Sequence, residues 1–169
     1  ATLLLETELT AEQYDYVHTI RTSGDTLLTL INNVLDFSKI ESGRMRLAQE
    51  PFDLDECLDG VLELVAPSAA EKGLNLAYMI KPGTPVHLNG DVARLQQILL
   101  NLLTNAVKFT DRGEVVVRVK HAPTDAGDDE FVFTVADTGC GIPPGKIPKL
   151  FQAFEQLDAS NTRERSEEH

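Results

Sequence analysis

Two asparagines, Asn101 and Asn105, lie four residues apart in the segment Asn-Leu-Leu-Thr-Asn-Ala-Val-Lys-Phe-Thr over 101–110. Side chains at this spacing project from the same face of a helix, so both carboxamides can reach one ligand. A carboxamide oxygen is a hard, neutral donor that suits Mg²⁺, which takes its other ligands from water and substrate phosphates. Lys108 adds a cation for those phosphates. The segment therefore predicts one wall of a nucleotide site.

A second polar segment, Asp-Thr-Gly-Cys-Gly-Ile-Pro over 137–143, follows the apolar run 131–135. Asp137 is therefore expected at the end of a strand, where its carboxylate can accept a hydrogen bond from an exocyclic amine such as that of adenine. Gly139 and Gly141 allow the backbone to approach the base closely. This segment predicts the opposite wall of the same site.

Each segment also has a plainer interpretation, because a pair of asparagines can cap or stabilise a helix and Asp-x-Gly-x-Gly is common in turns. Their order, the strands between them and the later Phe-Gln-Ala-Phe over 151–154 favour the functional interpretation.

Through these segments the chain resembles the sensor histidine kinase family, whose ATP-binding fold is shared with type II topoisomerases, heat-shock chaperones and mismatch-repair ATPases. Residues 101–110 are similar to the family's asparagine box, 137–143 to its first glycine box and 151–154 to its phenylalanine box. Upstream, 32–43 resembles the end of a dimerisation hairpin of the kind found in hybrid kinases.

The resemblance implies that ATP or ADP binds with Mg²⁺, and that the intact protein transfers the γ-phosphoryl group to a His and then to an Asp on a response-regulator receiver domain. It implies magnesium on Asn105 with support from Asn101, phosphate contact by Lys108 and adenine recognition by Asp137. It also implies a homodimer through the hairpin. The implied nucleotide-binding residues are Asn101, Asn105, Lys108, Asp137, Gly139 and Gly141.

Two parts of the family pattern are absent. The phosphoacceptor box, a His followed by an acidic residue and then a Thr-Pro or Asn-Pro step, is expected upstream of Ala1. Residues 156–163 match the start of the mobile lid, but 164–169 lack the second glycine box. His18 precedes Thr-Ile-Arg and lacks the acceptor context. We therefore expect no catalytic residue within the chain.

The composition favours a globular protein that does not bind nucleic acid. The chain has 169 residues, 42% hydrophobic content and a net charge of −12, which supports a core and argues against binding a phosphate backbone. No apolar run approaches the length of a membrane span and no signal peptide opens the chain, so any membrane part is expected elsewhere in a longer parent.

The two cysteines have no metal-type spacing, which favours a reducing, cytoplasmic setting. Cys57 is expected to be a small buried hydrophobe. A reactive role stays open for Cys140, which lies in the glycine turn over 137–143.

We expect an α+β fold with two domains. Residues 1–43 are expected to form the helical dimerisation hairpin, and 44–169 a two-layer α/β sandwich of the Bergerat-like ATP-binding type, incomplete at its C-terminus. Thr10 and Gln13 predict a capping box at the start of the long helix. Its apolar stripe favours a coiled coil and a four-helix bundle of two hairpins, with packing against its own domain as the alternative. The stripe comprises Val17, Ile20, Gly24, Leu27, Ile31, Val34 and Ser38.

Within 44–169, a strand-like stretch is expected to begin near Met45, and Asp53 and Asp91 are expected to begin two helices. Strands are predicted over 74–80, 114–121 and 130–136, the last two as a hairpin in a mostly antiparallel sheet with helices on one face. The second helix carries the asparagine pair and is expected to turn its apolar residues inward, namely Leu95, Ile98, Leu99, Leu102 and Leu103.

Two other classes of function remain as alternatives. An ATPase of the chaperone or mismatch-repair type is disfavoured, because those enzymes resemble one another in placing a Glu, as the base for water, where this chain has Asn101. An amide cannot take that proton. A dimerisation or scaffold module with a vestigial nucleotide site would be favoured if a stably folded chain failed to bind nucleotide.

Overall fold

The computed structural model describes residues 2–5, 7, 9–123 and 129–149. By their contacts they divide into two compact units, one within 1–47 and one from Ala48 onward.

The first unit contains helices α1 (Thr2–Leu5) and α2 (Ala11–Glu41), which contact each other. The predicted capping box is confirmed at the start of α2. The backbone N–H of Gln13 donates to Thr10 Oγ1 at 3.3 Å, and that of Thr10 donates to Gln13 Oε1 at 2.9 Å. At the other end Gly43 has φ of +64°, a left-handed conformation that ends helices and is open to glycine.

Helix α2 leaves most of its apolar stripe uncovered in the single chain. Val17 is 8% exposed, whereas Ile20, Leu27, Ile31 and Val34 are 46% to 65% exposed. Burying such side chains stabilises a protein by roughly 1.5–3 kcal/mol each, so this face gains stability only when something covers it.

The described residues of the second unit form a three-stranded mixed sheet, a two-stranded sheet, two α-helices and a 3₁₀ helix (Pro144–Lys149). In the larger sheet the order is β2-β4-β5, with β2 and β4 parallel and β4 and β5 antiparallel. The strands of this sheet are β2 (Asn75–Ile80), β4 (Glu114–Pro123) and β5 (Asp129–Asp137). The smaller sheet pairs β1 (Glu50–Asp53) with β3 (His87–Gly90) in antiparallel fashion.

Helices α3 (Leu54–Glu71) and α4 (Val92–Phe109) both begin at the predicted aspartates. Asp53 accepts a hydrogen bond from Glu56 N at 3.1 Å, and Asp91 accepts from Arg94 N at 3.1 Å. Asp91 also accepts from Ala48 N at 3.1 Å, and these backbone hydrogen bonds hold the pKa of its carboxyl below the usual value.

The core lies between these helices and one face of the larger sheet, which confirms the α+β prediction. Alternate residues of β4 point into it, as expected for a strand with one covered face. Its fully buried large side chains include Leu54, Leu58, Val61, Leu99, Leu103, Val115, Val117 and Val119.

The predicted inward face of α4 is wrong at two positions. Ile98 and Leu102 do not face inward, since they are 57% and 46% exposed. The reason is that α4 packs through the face that carries Leu99 and Leu103.

Two strands also differ from the sequence prediction. Strand β3 was not expected. It has one apolar residue, Leu88, and forms by pairing with β1, so local pattern carries little signal for it. The strand expected from Met45 begins only at Glu50.

Candidate functional site

Helix α4 presents the asparagine pair to solvent. Asn101, Asn105 and Lys108 are all exposed, because the opposite face of the helix, which carries Leu99 and Leu103, is buried in the core. The ammonium of Lys108 lies 5.2 Å from the centre of the Phe109 ring, a distance at which a cation is attracted to the aromatic face. The last two turns of α4 therefore offer two amides and a cation on an accessible surface.

Asp137 is the last residue of β5 and is exposed, as the sequence predicts. Its Oδ1 accepts a hydrogen bond from Gly139 N at 2.9 Å, which closes a short turn around the carboxylate. The other oxygen has no hydrogen bond to a described residue that would compete with a ligand amine.

Gly139 packs against the end of α4. A Cβ at this position would collide with the carbonyl oxygen of Phe109 and would lie 2.9 Å from Asp137 Oδ1. Only glycine therefore fits without a shift of the backbone. The structure gives Gly139 a role within the fold, and its contact with a base stays a prediction. Gly141 has φ of +66°, a left-handed conformation that glycine adopts at little cost.

The end of α4 and the glycine turn are joined by hydrogen bonds. Cys140 N donates to the carbonyl oxygen of Phe109 at 3.4 Å. Thr138 Oγ1 accepts from Glu114 N at 3.0 Å and donates to the carbonyl oxygen of Arg112 at 3.1 Å. The two segments that the sequence predicts as two walls are thus neighbours in one unit. Sequence reasoning missed Thr138, whose only signal was a hydroxyl residue inside the turn.

One buried polar atom at this junction lacks a partner within the described part of the chain. Thr110 directly follows α4, is fully buried, and its Oγ1 has no hydrogen bond there. Leaving a buried hydroxyl unpaired costs about 1–3 kcal/mol.

A magnesium ion would need few protein ligands here. Among the described residues, no group of three or more His, Cys, Asp or Glu side chains could hold a metal ion. The prediction for Asn105 does not require such a group, because Mg²⁺ usually keeps several waters and binds substrate phosphates.

A cavity of about 510 Å³ lies elsewhere in this unit. Its lining includes Phe52, Leu88 and Leu95, at the N-terminal half of α4, with Phe131 and Phe133 of β5. None of the six predicted nucleotide-binding residues lines it.

The two cysteines and His18 lie outside the proposed metal, phosphate and adenine contacts. Cys57 is buried as predicted, and burial raises the pKa of its thiol. Cys140 is a free, exposed cysteine, and its reactivity stays a prediction. His18 is exposed and stacks on Tyr14 with ring centres 6.1 Å apart. The phenylalanine box at 151–154, the lid segment at 156–163 and the hairpin tip at 124–128 lie outside the described residues.

Two sequence families match the chain. Residues 1–43 match the His Kinase A (phospho-acceptor) domain, and residues 90–169 match the histidine kinase-, DNA gyrase B- and HSP90-like ATPase. No helix in the described residues is long and apolar enough to span a membrane.

Individual relatives agree with these matches. The chain is 45% identical over 161 residues to the signal transduction histidine-protein kinase BarA of Escherichia coli (strain K12), which covers 95% of the chain. The chain spans 8% to 18% of the length of the curated relatives it matches.

Solved structures show the same fold. Full-length ShkA, crystallised in complex with AMPPNP, superposes with a TM-score of 0.72 at 42% identity, covering 91% of this chain and 32% of ShkA. Histidine kinase ThkA, in complex with the response regulator protein TrrA, superposes with a TM-score of 0.62 at 19% identity, covering 89% of this chain and 42% of ThkA.

Proposed function

Because this chain belongs to the sensor histidine kinase family, we propose that its second unit binds Mg²⁺-ATP for phosphoryl transfer in a longer protein. The acceptor is a His outside this chain, and an Asp of a response-regulator receiver domain takes the phosphoryl group next. The observation that carries the proposal is the joining of α4 to the glycine turn through Phe109 O and Cys140 N at 3.4 Å.

Each wall of the site contributes a different part of recognition. Asn105, supported by Asn101 one turn earlier, offers an amide oxygen for the metal, and Lys108 offers a charge for the phosphates. Asp137 accepts a hydrogen bond from the adenine amine with the carboxylate oxygen that Gly139 N does not use. When bound, magnesium neutralises charge on the phosphates, and the residues of the chain hold the nucleotide in place. Phosphoryl transfer depends mostly on such positioning.

The residue types favour transfer to a protein over hydrolysis. An amide at Asn101 cannot accept a proton from water, so the site lacks the base at that position that a related ATPase would use. The nucleophile must then be supplied by another group, which agrees with a phosphoacceptor domain upstream of the ATPase domain.

The first unit is proposed to dimerise. Its uncovered stripe on α2, with Ile20, Leu27 and Ile31 about half exposed or more, is the face that a second hairpin would cover in a four-helix bundle. The complex of ThkA with TrrA supports a receiver domain as a further partner. We also propose a cytoplasmic location for this region, as the two free cysteines favour.

Calorimetric titration of the chain with Mg²⁺-ADP tests the nucleotide site. Asn105→Ala should remove most of the magnesium-dependent affinity while changing the free energy of unfolding by no more than about 1 kcal/mol, because the side chain is exposed. Asn32→Ala, at another exposed helical asparagine, is the matched control and should bind as the wild type does. Equal affinity for Asn105→Ala and the control would refute the metal assignment. A folded wild-type chain that binds no nucleotide would instead favour the scaffold module.

A further inference from the structure

The ammonium of Lys72 lies at the C-terminal end of α4. Lys72 itself caps the end of α3, and its Nζ donates hydrogen bonds to three carbonyl oxygens across the gap between the helices. The acceptors are Val107 O at 2.8 Å, Lys108 O at 2.8 Å and Thr110 O at 3.2 Å. The last four carbonyls of a helix have no partner within the helix. Lys72 satisfies two of them, those of Val107 and Lys108, together with the carbonyl of the C-cap residue Thr110.

Lys72 makes no hydrogen bond to the carbonyl oxygen of Phe109, and this oxygen accepts a hydrogen bond from the glycine turn instead. Phe109 O accepts from Cys140 N at 3.4 Å and packs against Gly139. The four consecutive carbonyls from 107 to 110 are therefore divided between a lysine of α3 and the backbone after β5. Asp137 is coupled to the same turn, because its Oδ1 accepts from Gly139 N.

We propose that Lys72 is a positioning residue of the nucleotide site, which sets the end of α4 so that Asn105, Lys108 and the Asp137 turn keep their relative places. This inference rests on the proposed function. In this proposal Lys72 does not contact the nucleotide. It acts through the backbone at the end of α4, to which it is hydrogen-bonded.

Charge gives Lys72 a second effect on the same site. The C-terminus of a helix carries a partial negative charge of about half an elementary charge, and here that end adjoins Lys108, the proposed phosphate ligand. Phosphates near an uncompensated helix end would be repelled. A cation bonded to three of the carbonyls cancels this repulsion, so its loss should weaken binding of ADP more than binding of adenosine.

Calorimetric titrations of the full chain separate positioning from simple stabilisation. Lys72→Met removes the charge and the donors, and it should weaken Mg²⁺-ADP at least about tenfold, because hydrogen bonds from charged groups are strong. Lys72→Arg keeps both and should restore most of the affinity. Lys81→Met, at an exposed lysine of the same unit, should bind as the wild type does. If Lys72→Met is folded and binds ADP as tightly as Lys81→Met, the proposal is wrong.

A second variant and an NMR measurement test the same role of Lys72 independently. If Lys72→Met does not fold, Lys72→Gln replaces it, because glutamine keeps a donor without the charge. Its affinity for Mg²⁺-ADP should be intermediate. Wild-type affinity in Lys72→Gln would overturn the proposal. Amide NMR spectra without nucleotide give a second readout. Lys72→Met should shift the signals of Gly139 and Cys140, and Lys81→Met should leave them in place. Unshifted signals would refute the positioning role. A wild type that fails to bind ADP would refute the proposed function separately, and the NMR result would still decide the role of Lys72.

Discussion

Replacing Gly139 by alanine should open the junction between α4 and the glycine turn. The added methyl group would collide with Phe109 O and lie 2.9 Å from Asp137 Oδ1. Because Phe109 O is a backbone atom, the turn must move away. That movement breaks the hydrogen bond from Cys140 N to Phe109 O and the hydrogen bond from Gly139 N to Asp137. One neutral hydrogen bond and one to a carboxylate are together worth about 2–4 kcal/mol, which is the expected loss in the free energy of unfolding.

Two neighbouring glycines provide matched controls. Gly141 has φ of +66°, but an added methyl group would meet no atom within 4 Å, so Gly141→Ala should cost only the conformational strain, about 1–2 kcal/mol. Gly145 has neither a positive φ nor a close neighbour, so Gly145→Ala should change stability by no more than about 0.5 kcal/mol. The expected order of destabilisation is Gly139→Ala, then Gly141→Ala, then Gly145→Ala.

The two cysteines make an assay that reports on this unit alone. Cys140 is exposed and should react at once with a chromogenic disulfide reagent, whereas Cys57 is 2% exposed and should react only when the unit opens. If opening is fast and reversible, a loss of about 2–4 kcal/mol raises the labelling rate of Cys57 by about 30-fold to 1,000-fold. If Cys57 is labelled at the same rate in Gly139→Ala as in Gly145→Ala, the packing argument is refuted.

Three other parts of the molecule give further predictions. Asp137→Asn should weaken adenine nucleotides and relax the preference for ATP over GTP, since an amide offers one acceptor and a competing donor; an unchanged preference in competition titrations would show that Asp137 does not recognise the base. Ile31→Glu should dissociate the proposed dimer in sedimentation equilibrium by placing a charge in the α2 stripe, at a cost of several kcal/mol, whereas Asn32→Glu, one residue outside the stripe, should not. Burial and the hydrogen bond to Asp55 raise the pKa of Tyr78 to about 12, so the folded chain keeps a proton that the unfolded chain loses near pH 10. The resulting stabilisation is present below about pH 10 and is lost as the pH rises to about 12. In urea unfolding, the free energy of unfolding of Tyr78→Phe should therefore fall less between pH 10 and pH 12 than that of the wild type. An equal fall in both proteins would contradict the assignment.

Helix ends were predictable because their signals are local. Thr10 with Gln13, Asp53 and Asp91 each bond to a backbone N–H three residues away, so the residues that decide the helix start lie next to it in the chain. The exposure of Asn101 and Asn105 on one face follows from helical periodicity. Family-level function was predictable from the resemblance of 101–110, 137–143 and 151–154 to the motifs of the sensor histidine kinase family. Residue types and spacing alone predicted only a nucleotide site.

The packing of α4 was less predictable. Its apolar residues are more numerous than one face can bury, so hydrophobicity alone does not distinguish Leu99 and Leu103, which are buried, from Ile98 and Leu102, which are exposed. Strand β3 likewise depends on pairing with β1, more than 30 residues earlier. Non-local pairing leaves little trace in a strand of four residues with a single leucine.

The sequence by itself determined the helix boundaries, the α+β class and the residue types of the proposed nucleotide site, because each depends on neighbours along the chain or on one period of a helix. Only the tertiary structure decided how the two walls meet. Lys72 and the carbonyls of 107–110 are about 35 residues apart, and Phe109 and Cys140 about 30. Bonds over such separations form when the helices and the sheet pack around a common core, and no local pattern marks a lysine that will end up at the end of another helix.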